Sequence, residues 1–306
     1  MLRKGSAAQK TETVVNVPAT LEQNVVNEHF AEAARYWQDI YRQQDVYGRI
    51  HQQRNTLALS LVEQLRLPAN SRILDVGCGS GLTALELAQR GYRLDALDTV
   101  PAMVELTRQR AQQAQVSEQV SAGLGDAHQL PYPDESFHVV VAMGVTPFLH
   151  SLPVAMREMT RVVKPSGYLL VNADNCWRLN YILDPRRSPL LAAPRRSLKM
   201  LMRPLGDRST RASLLTHTYS RRQFDSIIAQ AGLQIRHSSM LGFGPFTLFG
   251  KELPNRIGLK LHRFLQECAD RDAPLVRSTG SQYIVLAQKL TPPLSFPPAP
   301  GQVSDN

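Results

Sequence analysis

The sequence predicts an α/β fold in which a doubly wound, mostly parallel sheet has helices on both of its faces. Short apolar segments alternate with amphipathic helical segments from residue 71 to residue 174, and the same rhythm returns from residue 220 to residue 290. This alternation is typical of right-handed βαβ units, in which each helix crosses back over the sheet. The chain has 306 residues, 43% of them hydrophobic, which allows one or two domains with a substantial core.

The order of the elements follows from the periodicity of apolar residues. Residues 21–67 have helical character and end in the turn LPANS. Strands are then predicted at residues 71–77, 92–98, 120–126, 136–144, 168–174, 234–240 and 281–290. Helices are predicted at residues 81–91, 100–115, 152–167, 220–233 and 256–271, with Ser220 as an N-cap and Gly91, Gly167 and Gly232 as stops.

Two insertions interrupt this rhythm and set the expected domain organisation. Nine Arg and Lys residues against two acidic ones lie between Cys176 and Tyr219, so this segment holds most of the net charge of +9. We expect one domain with an N-terminal helical cap, a basic lid insertion and a second insertion, between two disordered ends. The domain is expected to span residues 21–289. Its helical cap, basic lid and second insertion span residues 21–67, 176–219 and 241–280, and the two ends span residues 1–20 and 290–306.

Composition excludes several classes of protein. The three cysteines lie far apart without a CxxC pair, which predicts neither a disulfide framework nor a zinc site. No apolar run reaches the roughly 18 residues that a membrane span needs, and the first 20 residues lack the apolar core of a signal peptide. We therefore expect a cytoplasmic protein without a metal.

A glycine-rich turn in ILDVGCGSGLTALEL predicts a binding site for a charged small molecule. Gly77, Gly79 and Gly81 are spaced two and two, which fits neither the dinucleotide fingerprint GxGxxG nor a phosphate-binding loop, since no lysine follows. Asp75 lies two residues before the first glycine, where a carboxylate suits an ammonium group better than a phosphate. Asp98, at the end of the next strand, can accept hydrogen bonds from ribose hydroxyls. The expected ligand has an amino-acid end and a ribose.

Four ordered motifs between Ile73 and Val171 resemble class I S-adenosylmethionine-dependent methyltransferases. They are the glycine turn, Asp98, GDAHQLPYPDESFHVVVAM and REMTRVVKPSGYLLV, and the likeness is greatest to the small-molecule branch with ubiquinone and menaquinone C-methyltransferases. The resemblance implies a Rossmann-like sheet of seven strands with an antiparallel last strand, N-terminal helices and an inserted lid. It also implies S-adenosylmethionine as cofactor.

The resemblance assigns cofactor contacts residue by residue. The methionine part would lie at Asp75 and the glycine turn, the ribose at Asp98, the adenine at Asp126, and the sulfonium end at Met143. An aromatic N-terminal helix, FAEAARYWQDIY, would close over the site through Tyr36, with Tyr41 and Arg54 as further candidates. The complete set is Asp75, Gly77, Cys78, Gly79, Gly81, Asp98, Thr99, Met103, Asp126, Ala127, Met143, Gly144 and Tyr36.

The loop after the fourth strand offers a poor choice of catalytic base. Related enzymes often carry an acidic residue and histidines there, whereas this chain reads AMGVTPFLHS, with His150 as the candidate base and a capping or surface role as its alternative. The histidines at 128, 217, 237 and 262 offer no better candidate. The weak motif favours an acceptor that is an acidic hydroxyl or an activated carbon.

The substrate class is predicted from the insertions and the resemblance. A basic amphipathic helix within residues 195–205 would form a lid over the core or contact a membrane surface peripherally. GFGPFTLFG, residues 242–250, would form an apolar wall of the pocket or a tight turn. We expect methyl transfer to an oxygen or carbon of a hydrophobic or aromatic small molecule, of the quinol, phenol, polyketide or isoprenoid type.

Two other functions remain open on the sequence alone. The positive charge permits a nucleic-acid methyltransferase or binder, although the basic residues lack an interleaved ladder of aromatic side chains. The weak base motif permits a protein that binds S-adenosylmethionine without catalysis.

Overall fold

A twisted sheet of seven strands forms the centre of the computed structural model, which describes residues 21–185, 188–191, 216–248 and 251–290. The strand order is β3-β2-β1-β4-β5-β9-β6, and β9 runs antiparallel to both of its neighbours. This confirms the predicted mostly parallel sheet with an antiparallel last strand. The strands are β1 (Arg72–Val76), β2 (Arg93–Asp98), β3 (Val120–Leu124), β4 (Phe137–Ala142), β5 (Val163–Asp174), β6 (Leu233–Leu241) and β9 (Gln282–Lys289), while β7 (Thr247–Leu248) and β8 (Lys251–Glu252) form a separate hairpin.

Helices cover the two faces of the sheet, where two separate clusters of buried apolar residues form the core. The central strand β4 is buried on both faces, as expected for a strand inside a parallel sheet. The helices are α1 (Leu21–Glu32), α2 (Ala34–Asp39), α3 (Val46–Gln64), α4 (Leu82–Gln89), α5 (Pro101–Gln113), α6 (Leu152–Val162), α7 (Leu179–Leu183), α8 (Arg221–Gln230) and α9 (Asn255–Asp270), with 3₁₀ turns at Ile40–Arg42, Thr146–Phe148 and Pro189–Leu191.

The direction of winding reverses between β1 and β4, which are neighbours in the sheet although two strands separate them in sequence. The chain runs from β1 outward through β2 and β3, and then returns to β4 and β5 on the other side. Such a switch point leaves a crevice at the carboxyl ends of the strands, where open α/β sheets bind ligands.

Helix α8 begins as its sequence predicts. The Ser220 hydroxyl accepts a hydrogen bond from the Gln223 backbone N–H, and the Gln223 side chain accepts one from the Ser220 N–H. This reciprocal pair is a capping box, which satisfies two amide groups that the first turn leaves free. Gly232, in the left-handed conformation at φ +81°, follows the helix end.

The predicted helix at 152–167 is wrong at its C-terminal end. Helix α6 stops at Val162, and Val163 already belongs to β5, where it pairs with Phe137. The register shifts between Phe137 and Val139, and a Cβ atom at Gly167 would lie 2.8 Å from the His138 carbonyl oxygen. Pairing with β4 therefore ends the helix before the segment KPSG, residues 164–167, which the sequence prediction had included in it.

Parts of both insertions lie within the described residues. The first contains α7 and the turn at Pro189–Leu191, whereas the basic helix expected at 195–205 lies outside them. Of the ends expected to be disordered at 1–20 and 290–306, all but Leu290 lie outside them as well. The second contains the paired strands β7 and β8 and helix α9. None of the described helices is long and apolar enough to cross a bilayer.

Candidate active site

A cavity of about 440 Å³ lies at the switch point of the sheet, beyond the carboxyl ends of β1, β2 and β4. Its floor is the glycine turn after β1 and the end of β2, and residues of α1, α2 and α3 lie across it. Eleven of the thirteen predicted cofactor residues line this cavity. They are Asp75, Gly77, Cys78, Gly79, Asp98, Thr99, Met103, Asp126, Ala127, Met143 and Gly144.

The glycine turn needs glycine for two physical reasons. Gly77, Gly79 and Gly81 have φ values of +67°, +54° and +78°, which L side chains rarely adopt. A Cβ atom at Gly77 would lie 2.4 Å from Cγ2 of Val145, and one at Gly81 would lie 2.7 Å from Cγ2 of Thr107. Gly77 thus lets the turn approach the loop after β4. Gly81 lets the turn pack closely against Thr107 of α5, and it does not line the cavity.

Replacing Gly77 by alanine is expected to lower the free energy of unfolding by about 2–4 kcal/mol, because backbone strain and a steric clash with Val145 both contribute. Gly91→Ala is the matched control. Gly91 has φ +88°, and a Cβ atom there would have no other atom within 4 Å, so the loss should be about 1–2 kcal/mol from strain alone. Urea unfolding measures both values. If adding Val145→Ala to Gly77→Ala recovers no stability, the steric explanation is wrong.

Asp98 joins the end of β2 to the glycine turn. One carboxylate oxygen accepts a hydrogen bond of 2.9 Å from the Gly79 N–H, and the other accepts one of 2.9 Å from the Val100 N–H. Each oxygen has two lone pairs, so each can accept one more hydrogen bond from the cavity. The Asp98 carboxylate can therefore accept from the two neighbouring hydroxyl groups of a ribose.

Asp75 carries a buried acceptor atom without a partner. Its side chain is 3% exposed, and its Oδ2 has no hydrogen bond among the described residues. Burial, and then the nearby charge of Asp98, raise the pKa of Asp75 to about 7. A cationic group between the two carboxylates would relieve both effects. These residues fit the amino-acid end of S-adenosylmethionine.

Asp126 lies at the far wall of the cavity in a chain of hydrogen bonds. Its Oδ1 accepts from the His128 N–H at 2.9 Å and lies 2.6 Å from His128 Nδ1, while His128 Nε2 accepts from the Ser151 N–H. Burial raises the pKa of Asp126, but the hydrogen bonds from His128 outweigh it and leave the pKa below its usual value. The ionised carboxylate can accept a hydrogen bond from an exocyclic amine such as that of adenine.

His150 does not reach the cavity. Its side chain is exposed and stacks on the ring of His128 with 3.5 Å between the ring centroids. It does not line the cavity, in contrast to the residues on either side of the 3₁₀ turn after β4. The expectation that His150 is the base therefore finds no support in its position, and a surface role fits better.

The aromatic N-terminal segment lines the cavity through Tyr41, as expected, and through Trp37 in place of Tyr36. Tyr36 is 44% exposed and does not line the cavity, whereas Trp37 and Tyr41 do. Successive residues of a helix point about 100° apart, so Trp37 faces inward where Tyr36 faces outward. The sequence prediction of a closing helix agrees with the structure, and the choice of Tyr36 does not.

Helix α3 contributes two buried polar side chains to the cavity, Arg54, which was a candidate from the sequence, and His51, which was not. His51 is 3% exposed, and Arg54 is 7% exposed. The Arg54 guanidinium reaches Gly144, where an added Cβ atom would lie 3.0 Å from its Nη1. Rings of Trp37, Tyr41 and Tyr47 surround His51 at centroid distances of 5.6, 6.1 and 4.7 Å.

The loop after β4 and the end of β5 form the wall opposite the glycine turn. The Gly144 N–H donates to Asn172 Oδ1 at 2.6 Å, which fixes the backbone next to Met143. Asp174 forms an ion pair of 3.3 Å with Arg178, whose guanidinium lies over the Tyr181 ring. This wall is more polar than the aromatic side.

The segment GFGPF serves as both wall and structural turn. Gly244 and Pro245 line the cavity, while Phe243 and Phe246 are buried in the protein. The Asn180 amide donates to the Pro245 carbonyl at 3.0 Å, which joins this segment to α7. Both interpretations of the sequence thus describe part of what it does.

Comparison with known proteins agrees with this geometry. A methyltransferase-domain family model matches residues 74–171. The chain is 40% identical over 103 residues to a demethylmenaquinone methyltransferase of Deinococcus radiodurans, covering 33% of this chain and 42% of that protein. It is 34% identical over 143 residues to a malonyl-[acyl-carrier protein] O-methyltransferase of Halorhodospira halophila, covering 46% and 44%. The chain thus spans less than half the length of these curated relatives.

A solved structure shares the fold over most of the chain. Magnesium protoporphyrin IX methyltransferase from Synechocystis PCC 6803, solved with bound SAH, matches with a TM-score of 0.59 at 16% identity, covering 88% of this chain and 99% of the other. At this identity the match shows the shared Rossmann-like fold. The family match shows a methyltransferase domain at residues 74–171, and the solved structure shows that the fold around it is Rossmann-like.

Proposed function

We propose that this chain transfers the methyl group of S-adenosylmethionine to a small hydrophobic or aromatic acceptor bound beside the aromatic wall of the cavity. The observation that carries the proposal is the pair of carboxylates, Asp75 and Asp98, on either side of the glycine turn. Asp75 has an unpartnered buried oxygen, and Asp98 has acceptor capacity left on both oxygens. When bound, the cofactor supplies a methyl group that its sulfonium already activates.

The remaining predicted contacts complete the proposed cofactor site. Asp75 would hold the ammonium group and Arg54 the carboxylate of the methionine part, since a buried guanidinium favours an anionic partner. Asp126 and Ala127 would contact the adenine, and Met143 and Gly144 would border the sulfonium end. Thr99 and Met103 would flank the ribose, where Thr99 is held by a 2.8 Å hydrogen bond to Asn27 of α1.

The acceptor class is inferred from the wall that covers the site. The Phe30 ring contacts those of Trp37 and Phe148, at centroid distances of 5.5 Å and 4.9 Å. These three rings line the cavity together with Tyr41 and Tyr47. Such a wall favours a flat or apolar acceptor of the quinol, phenol, polyketide or isoprenoid type. Similarity to a demethylmenaquinone methyltransferase supports this choice.

The protein's contribution to such a reaction is positioning and exclusion of water. An activated methyl donor needs an in-line nucleophile more than it needs activation, so the walls that orient the acceptor supply most of the rate. Aromatic rings of α1, α2 and α3 line the cavity on the side opposite the sheet. A cytoplasmic location and peripheral membrane contact through residues 195–205 stay part of the proposal, and that segment lies outside the described residues.

The test uses the full chain, isothermal calorimetry and a panel of acceptors. We expect binding of S-adenosylmethionine and of S-adenosylhomocysteine, and a mass gain of one methylene in at least one naphthoquinol, phenol, polyketide or isoprenoid acceptor. Failure to bind either cofactor form would contradict the cofactor site. Binding without product from any acceptor class would instead favour a non-catalytic protein, and retention of RNA or DNA at moderate salt would favour the nucleic-acid alternative.

A further inference from the structure

We propose that His51 of α3 is the general base of this reaction and that the methyl acceptor is the oxygen of a weakly acidic hydroxyl group. This inference rests on the proposed function and deepens it, since it chooses oxygen over carbon and names the residue that takes the proton. The observations that carry it are the position of the ring, its free nitrogen atoms and the aromatic walls beside it.

Position separates His51 from the other histidines of the chain. All eight histidines lie within the described residues, and His51 alone lines the cavity. His262, the other deeply buried one, has its ring nitrogens hydrogen-bonded to Phe243 and Gln53. His128 uses both nitrogens for Asp126 and Ser151. These two histidines have structural partners that occupy their ring nitrogens.

The imidazole of His51 has no such partner. Its Nδ1 is buried without a hydrogen bond, and no hydrogen bond joins either ring nitrogen to any of the described residues. An unpaired buried polar group costs free energy, and an unpaired one in a ligand cavity is therefore expected to find its partner in the ligand. A hydroxyl group can provide that partner, because it donates a hydrogen bond to the imidazole lone pair.

The surroundings keep the ring neutral before the acceptor binds. Burial, and then the positive charge of Arg54, lower the pKa of His51 to about 2. The titratable groups that face the ring are Tyr41 from the 3₁₀ turn and Tyr47 and Arg54 from α3 itself. The lone pair is therefore available at every physiological pH, because burial and the charge of Arg54 both favour the neutral ring.

The methyl transfer and the proton transfer balance each other in charge. The oxygen of the acceptor forms a bond to the methyl carbon, and the sulfur keeps the electron pair of the broken S–C bond. The O–H bond breaks, and its proton forms an N–H bond on the imidazole of His51. One positive charge thus leaves the sulfonium as another appears on the imidazolium, and the net charge of the cavity is unchanged. The imidazolium then releases its proton to water when the product leaves.

The walls around His51 restrict which hydroxyl can reach it. The rings of Trp37, Tyr41 and Tyr47 each contact the imidazole of His51. A flat aromatic acceptor can stack against these rings and direct its hydroxyl group to a nitrogen atom of the imidazole. A phenol or naphthol meets this requirement.

The test compares two phenols of different acidity in wild type and His51→Gln. 2-Naphthol is a weak acid that needs a base, whereas 4-nitrophenol is largely ionised in mildly alkaline buffer and does not. For His51→Gln we expect kcat to fall by about 100-fold or more with 2-naphthol and by less than about tenfold with 4-nitrophenol. Binding of S-adenosylmethionine should stay within about threefold of wild type. His237→Gln, an exposed histidine on β6, is the matched control and should resemble wild type.

Each other outcome overturns part of the argument. An equal loss with both phenols would mean a structural role, no loss would mean that His51 is not the base, and a ring-methylated product would mean carbon methylation. Wild type that binds the cofactor but methylates neither phenol would overturn the hydroxyl acceptor and leave the proposed function standing. Wild type that does not bind S-adenosylmethionine would overturn the proposed function instead.

A second measurement needs no variant and is independent of turnover. With ¹⁵N-labelled histidine, the His51 ring should stay neutral between about pH 5 and 8 in the protein bound to S-adenosylhomocysteine. Adding 2-naphthol should shift its ¹⁵N resonance because the naphthol hydroxyl donates to it. A ring that titrates within this range, or a resonance that 2-naphthol leaves unchanged, would contradict the proposal even if His51→Gln failed to fold.

Discussion

Asp98→Ala is expected to abolish S-adenosylmethionine binding that calorimetry can detect in the wild type. The substitution removes the acceptors proposed for the two ribose hydroxyls, and hydrogen bonds to a charged group contribute about 1.5–3 kcal/mol each. It also leaves the Gly79 and Val100 N–H groups without partners, so the glycine turn loses its connection to β2. Together these effects predict a rise in Kd of at least about 100-fold.

Asp95→Ala is the matched control for this experiment. Asp95 lies on the same strand, three residues earlier, and forms a 2.9 Å ion pair with Arg72 away from the cavity. Its loss should leave the Kd within about threefold of wild type, because Asp95 does not line the cavity. Circular dichroism shows whether both variants remain folded. Unchanged affinity in folded Asp98→Ala would exclude Asp98 from the cofactor site.

The sheet was predictable because the signal for each strand is local. Short apolar runs such as residues 136–144 are bounded by polar or glycine residues, and each corresponds to a strand of the structure. The boundary between α6 and β5 was not predictable in the same way. Val162 and Val163 look alike in the sequence, and the pairing of Val163 with Phe137 depends on a strand 26 residues earlier.

The cofactor half of the site was predictable from spacing, whereas the covering half was not. Asp75 and Asp98 sit at the carboxyl ends of neighbouring strands, so the parallel sheet places them together once the strands are assigned. Residues of the N-terminal helices reach the same cavity only through tertiary packing. Which of Tyr36 and Trp37 faces inward depends on the rotation of a six-residue helix, which the sequence leaves open.

One sequence signal did point to the covering half. The buried stripe of α3 carries Val46, Ile50 and Ala58 at helical spacing, and Arg54 occupies the position between the last two. A charged residue on an otherwise apolar stripe needs a partner in the interior. His51, the proposed base, lies about one turn before Arg54 on this helix and not in the loop after β4.

Asp75→Asn is expected to increase stability above neutral pH while weakening cofactor binding. Burial and the charge of Asp98 raise the pKa of Asp75 from 3.8 to about 7, so ionising this carboxyl in the folded protein is unfavourable. The stability that its proton provides is complete below pH 4 and is lost as the pH rises through about 7. Asparagine cannot ionise, and it removes this loss. The free energy of unfolding of Asp75→Asn should therefore exceed that of wild type by about 4 kcal/mol at most at pH 8.

Urea unfolding of wild type and variant at pH 5 and pH 8 measures this effect. The stability advantage of Asp75→Asn should be larger at pH 8 than at pH 5. Asp126→Asn is the control with the opposite sign, because hydrogen bonds from His128 hold the pKa of Asp126 below its usual value. That variant should lose stability at pH 8. An Asp75→Asn protein less stable than wild type at pH 8 would show that the buried carboxylate has an unrecognised partner.

Cofactor binding should show the converse dependence on pH. The wild-type affinity for S-adenosylmethionine is expected to rise as the pH passes through about 7, because the ionised Asp75 attracts the ammonium group of the cofactor. The affinity of Asp75→Asn should be weaker and nearly independent of pH over the same range. A buried carboxylate with one unpaired oxygen thus destabilises the empty protein under the conditions in which it binds a cation best. Binding of the cofactor would remove the destabilisation that ionised Asp75 causes, so cofactor binding and folding are coupled through this one side chain.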